Sequence, residues 1–132
     1  ERGIEAVGVD IATNCLQVDV PCIEAVLWDL PNLKAKFGLC CDVMEHIPTE
    51  KVDAVIANIA KSVTDAVYFQ VCFVDDAHGL QIGAPLHLTI KPPAWWALEF
   101  AKHFPSVEIL EPEADSHLRG VFVCRKVSKN EQ

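Results

Sequence analysis

The sequence predicts an α/β protein built on a doubly wound, mostly parallel sheet. Three short apolar runs each carry an acidic residue at or near their end: Ile4–Ile11, Ile23–Leu30 and Phe37–Val43. Near-continuous apolar runs of this kind are typical of strands that are covered on both faces. A helical pattern follows the third run, and two short strands close the chain. Strands that alternate with helices favour a sheet of this class.

The first helix is predicted to begin at Pro48 and Thr49. Thr49 is a suitable N-cap residue, and Glu50 favours the positive end of the helix dipole. One apolar stripe at helical spacing then runs for about four turns. Its members are Val52, Val55, Ile56, Ile59, Ala60 and Val63. A fourth strand is predicted at Ala66–Val74.

The remaining half of the chain is predicted to start with a loop, from Asp75 to Pro93, that has an extended piece at Leu86–Ile90. Pro93–Phe104 is predicted to form a helix, with proline in its first turn. Val107–Leu110 and Leu118–Val127 are predicted strands, close enough in sequence to form an antiparallel pair. Trp95 and Trp96 are adjacent, so at most one of them can face the core fully.

Composition and charge restrict the functions that are open to the chain. Its 132 residues suit one domain, and its net charge of −8 disfavours general nucleic-acid binding. No apolar run approaches the roughly 18 to 20 residues of a membrane span. The six cysteines include no CxxC pair. We therefore expect free thiols in a reducing compartment, and a cytoplasmic protein without a membrane partner.

The acids that follow the predicted strands are the first candidates for a ligand site. In open α/β sheets, ligands bind at the carboxyl ends of the strands, where Asp10, Asp29 and Asp42 are expected. One carboxylate there can accept hydrogen bonds from both ribose hydroxyls, and another can accept from an adenine amino group. This pattern indicates an adenosine-containing cofactor, and it leaves NAD and S-adenosylmethionine open.

Four segments, taken together and in order, resemble the class I S-adenosylmethionine-dependent methyltransferases, a Rossmann-like family. They are GVDIA (Gly8–Ala12), LWDLP (Leu27–Pro31), CCDVMEHIP (Cys40–Pro48) and HLTIKPPAWW (His87–Trp96). The expected closing antiparallel strand is also a feature of that family, whereas NAD-binding Rossmann domains usually remain parallel. The resemblance covers nearly the whole chain and implies the methyltransferase fold.

The resemblance implies a cofactor site of six residues: Asp10, Ile11, Asp29, Leu30, Cys41 and Asp42. The first acid would hold the ribose hydroxyls, with the isoleucine packed on the adenine. The second acid would accept from the adenine amino group, with the leucine adding a backbone contact. The last two residues would lie beside the methionine portion. The alternative is that the first two acids only cap a loop or a helix start.

Asp42, Glu45 and His46 form a D-x-x-E-H pattern that suggests a divalent metal site. Carboxylates and imidazole are reasonable ligands for such an ion. The spacing resembles the E-x-x-E-H motif of small-RNA 2′-O-methyltransferases and ubiquinone-pathway O-methyltransferases. His87 would be the fourth ligand, with His78 a weaker choice. The alternative is a site without metal, in which His46 is a general base or a loop hydrogen-bonder; the predicted catalytic residues are His46, Glu45 and His87.

One departure from the family pattern is serious. Members hold the methionine part of the cofactor on a GxGxG loop after their first strand, and none of the six glycines here forms a GxG. The family's strand order places that absent strand in the middle of the sheet. Three explanations are open: a longer natural protein, a partner such as a second copy that fills the gap, or a sheet that closes differently. We favour a sequence truncated before or within the first helix.

The function expected from the sequence is S-adenosylmethionine-dependent methyl transfer to a small molecule, with oxygen as the acceptor atom, in the full-length protein. The 132-residue chain alone is expected to be inactive because the cofactor loop is missing. Two alternatives belong to other classes. One is a non-catalytic methyltransferase-like fragment that acts as an interaction domain, and the other is a nicotinamide-binding Rossmann domain.

Overall fold

A computed structural model of the chain describes residues 3–14, 19–110 and 117–127. Its strands are β1 (Gly8–Asp10), β2 (Cys22–Glu24), β3 (Ala35–Cys41), β4 (Val63–Cys72), β5 (Ser106–Leu110) and β6 (Arg119–Arg125). Its α-helices are α1 (Val52–Ser62), α2 (Gly79–Ile82) and α3 (Pro93–Ala101). Short 3-10 turns occupy Leu27–Asp29, Met44–His46 and Thr49–Lys51.

The described strands form two sheets. β1 and β2 pair in parallel as a two-stranded sheet, and the other four follow the order β3-β4-β6-β5. β3 and β4 are parallel, whereas β6 lies between β4 and β5 and is antiparallel to both. The predicted α/β class, with a closing antiparallel strand, is therefore confirmed.

The two sheets each have an edge strand at the place where the family pattern predicts a missing neighbour. Within residues 3–14, 19–110 and 117–127, β1 pairs only with β2, and β3 pairs only with β4. The expected alternative in which the sheet closes differently does not occur, because β1 and β3 do not pair with each other. Two exposed backbone edges result, and each offers unpaired N–H and C=O groups to another strand.

The hydrophobic core lies on one face of the four-stranded sheet, beneath α1 and α3. The six residues of the predicted apolar stripe are all buried there, although the last of them, Val63, is the first residue of β4 and not part of α1. α3 contributes Trp96 and Phe100, and the ring of Phe100 stacks on Phe69 of β4 with a centroid separation of 4.3 Å. Trp96 is fully buried and Trp95 only half-buried, as two adjacent helical residues require.

Several predicted boundaries were wrong. The second strand ends at Glu24, and Asp29 lies on a 3-10 turn after it, because this segment leaves the small sheet to pack against α1. Thr49 does not cap α1, since its hydroxyl is bonded to that of Thr89 at 2.8 Å. The segment 86–90, predicted only as an extended piece within a loop, lies outside both sheets, and its backbone is bonded to the turn at Glu45.

No helix in the part of the chain that the structure describes is both long enough and apolar enough to span a bilayer.

Candidate functional site

Asp10 lies at the carboxyl end of β1, as predicted, with an exposed side chain. One of its carboxylate oxygens accepts a hydrogen bond from the N–H of Ala12 at 3.0 Å, which turns the chain out of the strand. The second oxygen has no hydrogen-bond partner among the described residues. The adjacent Ile11 is 69% exposed. The position therefore combines a loop-capping role with a free acceptor beside an uncovered apolar side chain.

Asp29 and Leu30 lie beyond the end of β2. The turn that carries Asp29 is held by Asn58 of α1, whose side-chain N–H donates to the carbonyl of Leu27 at 3.1 Å. The Asp29 carboxylate is exposed and receives no hydrogen bond from any described residue. No hydrogen bond or ion pair among the described residues joins this turn to Asp10. The carboxylates of Asp10 and Asp29 are both exposed, and neither holds the other in place.

Cys41 and Asp42 end β3 beside the end of β4. Asp42 has a positive φ of 53°, in the left-handed region that few non-glycine residues adopt. Two sets of hydrogen bonds hold it there: its N–H donates to the carbonyl of Gln70, and its carboxylate accepts from the Gln70 amide at 3.0 and 3.1 Å. Burial, and then the charge of Asp42, raise the pKa of the Cys41 thiol.

The D-x-x-E-H turn and the loop before α3 are joined by backbone hydrogen bonds. The N–H groups of Leu88 and Thr89 both donate to the carbonyl of Glu45, at 2.8 and 3.0 Å. The buried hydroxyl of Thr89 donates to the carbonyl of Ile47 at 2.7 Å. These bonds bring together two segments that lie about forty residues apart and that only the family resemblance had connected.

This junction places His46 and His87 in contact. Their rings meet edge to face, with centroids 4.8 Å apart. Nδ1 of His46 is bonded to the carbonyl of Leu86 at 2.9 Å, and Nδ1 of His87 to that of Val74 at 2.6 Å. A carbonyl only accepts, so each Nδ1 carries the hydrogen, and in the neutral ring the lone pair is left on Nε2.

Glu45 differs from the other acids because its side chain is 0% exposed. Oε1 accepts a hydrogen bond from the N–H of Cys72 at 3.1 Å, whereas Oε2 is buried and has no partner in the described structure. Burial raises the pKa of the Glu45 carboxyl above its ordinary value, although the N–H of Cys72 acts in the opposite direction. A buried carboxylate with a free oxygen is costly unless a proton or a cation reaches it.

The predicted metal ligands do not all come together. Among the described residues, the group that brings three potential ligand atoms within 4.8 Å of one another is Glu45, Cys72 and His87. Two of the four predicted ligands, Glu45 and His87, are in this group, and Asp42 and His46 are not. His78 is bonded to Asp76 and is also outside it. Cys72 was not among the predicted ligands, although its position at the end of a strand parallel to β3 was a usable signal.

The chain resembles known proteins in structure rather than in sequence. No protein-family model matches it, and no curated protein does either. The PH0226 protein from Pyrococcus horikoshii OT3 superposes with a TM-score of 0.72 at 12% identity, over 93% of this chain and 72% of the other. An O-methyltransferase family protein from Burkholderia thailandensis gives 0.64 at 15%, over 83% and 36%. Magnesium protoporphyrin IX methyltransferase from Synechocystis PCC 6803, with bound SAH, gives 0.59 at 16%, over 82% and 51%.

The chain has the class I methyltransferase fold. Solved structures that share it include the Synechocystis methyltransferase, seen with bound SAH and with bound SAM, and the S-adenosylmethionine-dependent methyltransferase SibL. The chain spans about a third of the length of the Burkholderia protein and about half that of the Synechocystis enzyme. This chain therefore corresponds to only a part of each of those two proteins.

Proposed function

We propose that this chain is part of a protein that transfers a methyl group from S-adenosylmethionine to a small molecule, at an oxygen atom. The observation that carries the proposal is the strand order β3-β4-β6-β5, with antiparallel β6 between two strands. That order is the one expected of methyltransferases, and it disfavours a nicotinamide-binding domain. Bound S-adenosylmethionine would supply the activated methyl group.

The described residues fit the adenosine half of this cofactor. Asp10 ends β1 with one carboxylate oxygen free for ribose hydroxyls, and the exposed Ile11 offers an apolar surface to the adenine. Asp29, with an exposed carboxylate, and the backbone of Leu30 would bind the adenine amino group and ring edge. Cys41 and Asp42 would lie beside the methionine half, although nothing in this sequence replaces the glycine loop that grips it.

The substrate side of the proposed site is the junction between the D-x-x-E-H turn and the loop before α3. The Nε2 lone pair of His46 is available to take the proton of an attacking hydroxyl, and His87 lies against it. Methyl transfer depends mainly on the approach of the nucleophile in line with the methyl group, so the junction chiefly orients the acceptor. The predicted metal of the D-x-x-E-H pattern has less support, because Gln70 already occupies the carboxylate of Asp42.

The partner that this proposal requires is one further strand between β1 and β3. The open edge of β3 supports it, since among the described residues β3 pairs only with β4. Apolar strands with an open edge are the features that another strand would cover. We propose that the strand comes from preceding residues of the same polypeptide, whereas a second copy of this chain is the competing source.

A non-catalytic interaction domain is the second candidate function. It is favoured by the same exposed edge of β3 and by the missing glycine loop, because a fold that cannot grip its cofactor still offers a surface for strand pairing. The cytoplasmic location is common to both candidates, and it is supported by the five described cysteines, all of which are free thiols.

Calorimetric titration with S-adenosylmethionine, and with NAD as the control ligand, tests the proposed function. The experiment compares the 132-residue chain with a version that also carries the residues encoded upstream of Glu1. We expect binding of S-adenosylmethionine, and not of NAD, by the longer version. Binding of NAD would overturn the proposal, and binding of neither by a folded longer version would favour the interaction domain.

Asp10→Asn in the longer version tests the ribose contact. We expect a loss of about 1.5–3 kcal/mol in S-adenosylmethionine binding, the usual worth of hydrogen bonds to a charged group. Asp75→Asn, which changes an acid at a loop start, is the matched control.

Light scattering distinguishes the source of the extra strand. A monomeric longer version supports a strand from the same polypeptide, and a dimer of either version supports a strand from a second copy.

A further inference from the structure

Three side chains of different chemistry converge where β3 and β4 end. Glu45 comes from the turn after β3, Cys72 is the last residue of β4, and His87 comes from the loop before α3. Their ligand atoms lie within 4.8 Å of one another. Ligands of a tetrahedral zinc ion lie about 3.3–3.7 Å apart, given Zn–N and Zn–S lengths of about 2.0 and 2.3 Å, so small side-chain adjustments suffice.

The unpartnered oxygen of Glu45 is an independent observation that points to a ligand at this place. Oε2 is buried without a hydrogen-bond partner, in a side chain that is 0% exposed. No lysine or arginine forms an ion pair with Glu45 in the structure as described for residues 3–14, 19–110 and 117–127. Buried charges in proteins are paired or coordinate metals, and here no side chain supplies the pair.

The other two groups are already held in arrangements that suit metal ligands. Nδ1 of His87 donates to the carbonyl of Val74 at 2.6 Å, so the lone pair of the neutral ring is on Nε2. A backbone carbonyl on the second ring nitrogen is the usual support of a histidine that binds a metal. Cys72 is a half-buried free thiol whose position is set by the β4 ladder and by the bond from its N–H to Glu45.

We propose that Glu45, Cys72 and His87 bind one Zn²⁺ ion. A thiolate, an imidazole and a carboxylate form a ligand set that zinc accepts, whereas Mg²⁺ and Ca²⁺ prefer oxygen ligands alone. Binding removes the thiol proton of Cys72, and the Zn²⁺ charge then balances the thiolate and carboxylate. Three protein ligands leave a fourth position for water, which is the pattern of zinc sites that also bind a substrate atom.

This site differs from the D-x-x-E-H hypothesis in both ligands and metal. It replaces Asp42 and His46 with Cys72, a residue outside that pattern. It does not rest on methyl transfer, because the three ligands lie within the described residues and need neither S-adenosylmethionine nor the missing glycine loop. Failure to bind zinc would therefore leave the proposed methyltransferase function untouched, and the converse also holds.

Zinc binding to the reduced 132-residue chain is measured by competition with a chromogenic chelator, and Co²⁺ is then used as a spectroscopic probe. We expect one Zn²⁺ per chain and, with Co²⁺, a thiolate-to-metal charge-transfer band. Cys72→Ser should abolish that band. Cys72→Ser, His87→Ala and Glu45→Gln should each weaken zinc binding by at least about 100-fold, because losing even an outer partner of a ligand costs about 10- to 100-fold.

Three control variants make the result decisive. Asp42→Asn should leave zinc affinity within about threefold, whereas the D-x-x-E-H hypothesis requires a large loss. Cys22→Ser and His103→Ala change a cysteine and a histidine outside the group and should have no effect. Glu45→Gln keeps an oxygen for the N–H of Cys72, so circular dichroism should show a folded chain. No zinc binding, or zinc binding that survives Cys72→Ser, would overturn the proposal.

Discussion

The two faces of the four-stranded sheet belong to the same strands but differ greatly in how much of each face is buried. On the face beneath α1 and α3, alternate residues of β4 such as Val67 and Phe69 are fully buried. On the opposite face, Leu39 and its register partner Tyr68 remain accessible to solvent. We call these the closed face and the open face.

The contrast shows which part of the fold these residues complete without help. Helix α1 follows β3 in sequence, and α3 follows the loop after β4. Both helices pack on the closed face. The open face is apolar along β3 but has no described helix over it. Stability should therefore come mainly from the closed face, while the open face should contribute recognition of other polypeptide. Four predictions test this difference, beginning with the largest.

Phe100→Ala should cost about 3–5 kcal/mol in the free energy of unfolding, because it removes a ring that is 0% exposed from the centre of the closed face. Phe100 stacks on Phe69 and also contacts Trp96 and Phe122. Urea unfolding monitored by circular dichroism measures the loss. Leu98→Ala, on the same helix at a residue 69% exposed, should change stability by less than about 0.5 kcal/mol. Equal losses would contradict the assignment of the core.

Cys40 and Cys41 are neighbours on opposite faces, so alkylation of the native chain compares the faces directly. Burial raises the pKa of the Cys40 thiol to about 12, and that of Cys124 likewise to about 12. Cys41 is half-buried and should react at least about 100-fold faster than Cys40 at mildly alkaline pH. Peptide mass spectrometry gives both rates from one sample. Similar rates would show that the closed face opens readily.

Gly38→Val should cost about 1–3 kcal/mol through overpacking of the closed face. A Cβ at Gly38 would lie 3.3 Å from side-chain atoms of both Val63 and Val67. Urea unfolding again measures the effect. Leu39→Val, one residue along on the open face, is the matched control and should be nearly neutral. A neutral Gly38→Val would mean that the two valines can move aside.

The hydrogen bond between Asp53 of α1 and His103, which lies in the turn after α3, should have the smallest effect. His103 Nε2 bonds Asp53 Oδ1 at 2.8 Å, and this bond lowers the pKa of the Asp53 carboxyl. Its contribution is therefore present above the unfolded-state pKa of Asp53 and is lost as the pH falls through the lower folded-state pKa. Asp53→Asn should cost less than about 0.5 kcal/mol near pH 7, because the pair is exposed. Thermal melts at acidic pH measure the loss of stability, and Glu50→Gln is the control variant. An equal loss of stability in both variants would contradict the role of the hydrogen bond.

Much of the fold could be predicted because its signals are local. The apolar stripe of α1, the proline that begins α3 and the apolar runs of β3 and β4 each specify an element through their own periodicity or chemistry. The antiparallel pairing of β5 with β6 also followed from their closeness along the chain. The boundaries that failed, at Glu24 and Thr49, depend on contacts with distant residues.

The candidate site was predictable only in part for the same reason. The sequence by itself determined the element types, the acid at the end of β1 and the D-x-x-E-H turn, since these depend on neighbours in the chain. Only the tertiary structure decided that Asp42 bonds Gln70, that Glu45 is buried with a free oxygen, and that Cys72 and His87 meet it. Burial and side-chain convergence depend on how β3, β4 and the loop before α3 pack together, and no local pattern encodes that packing.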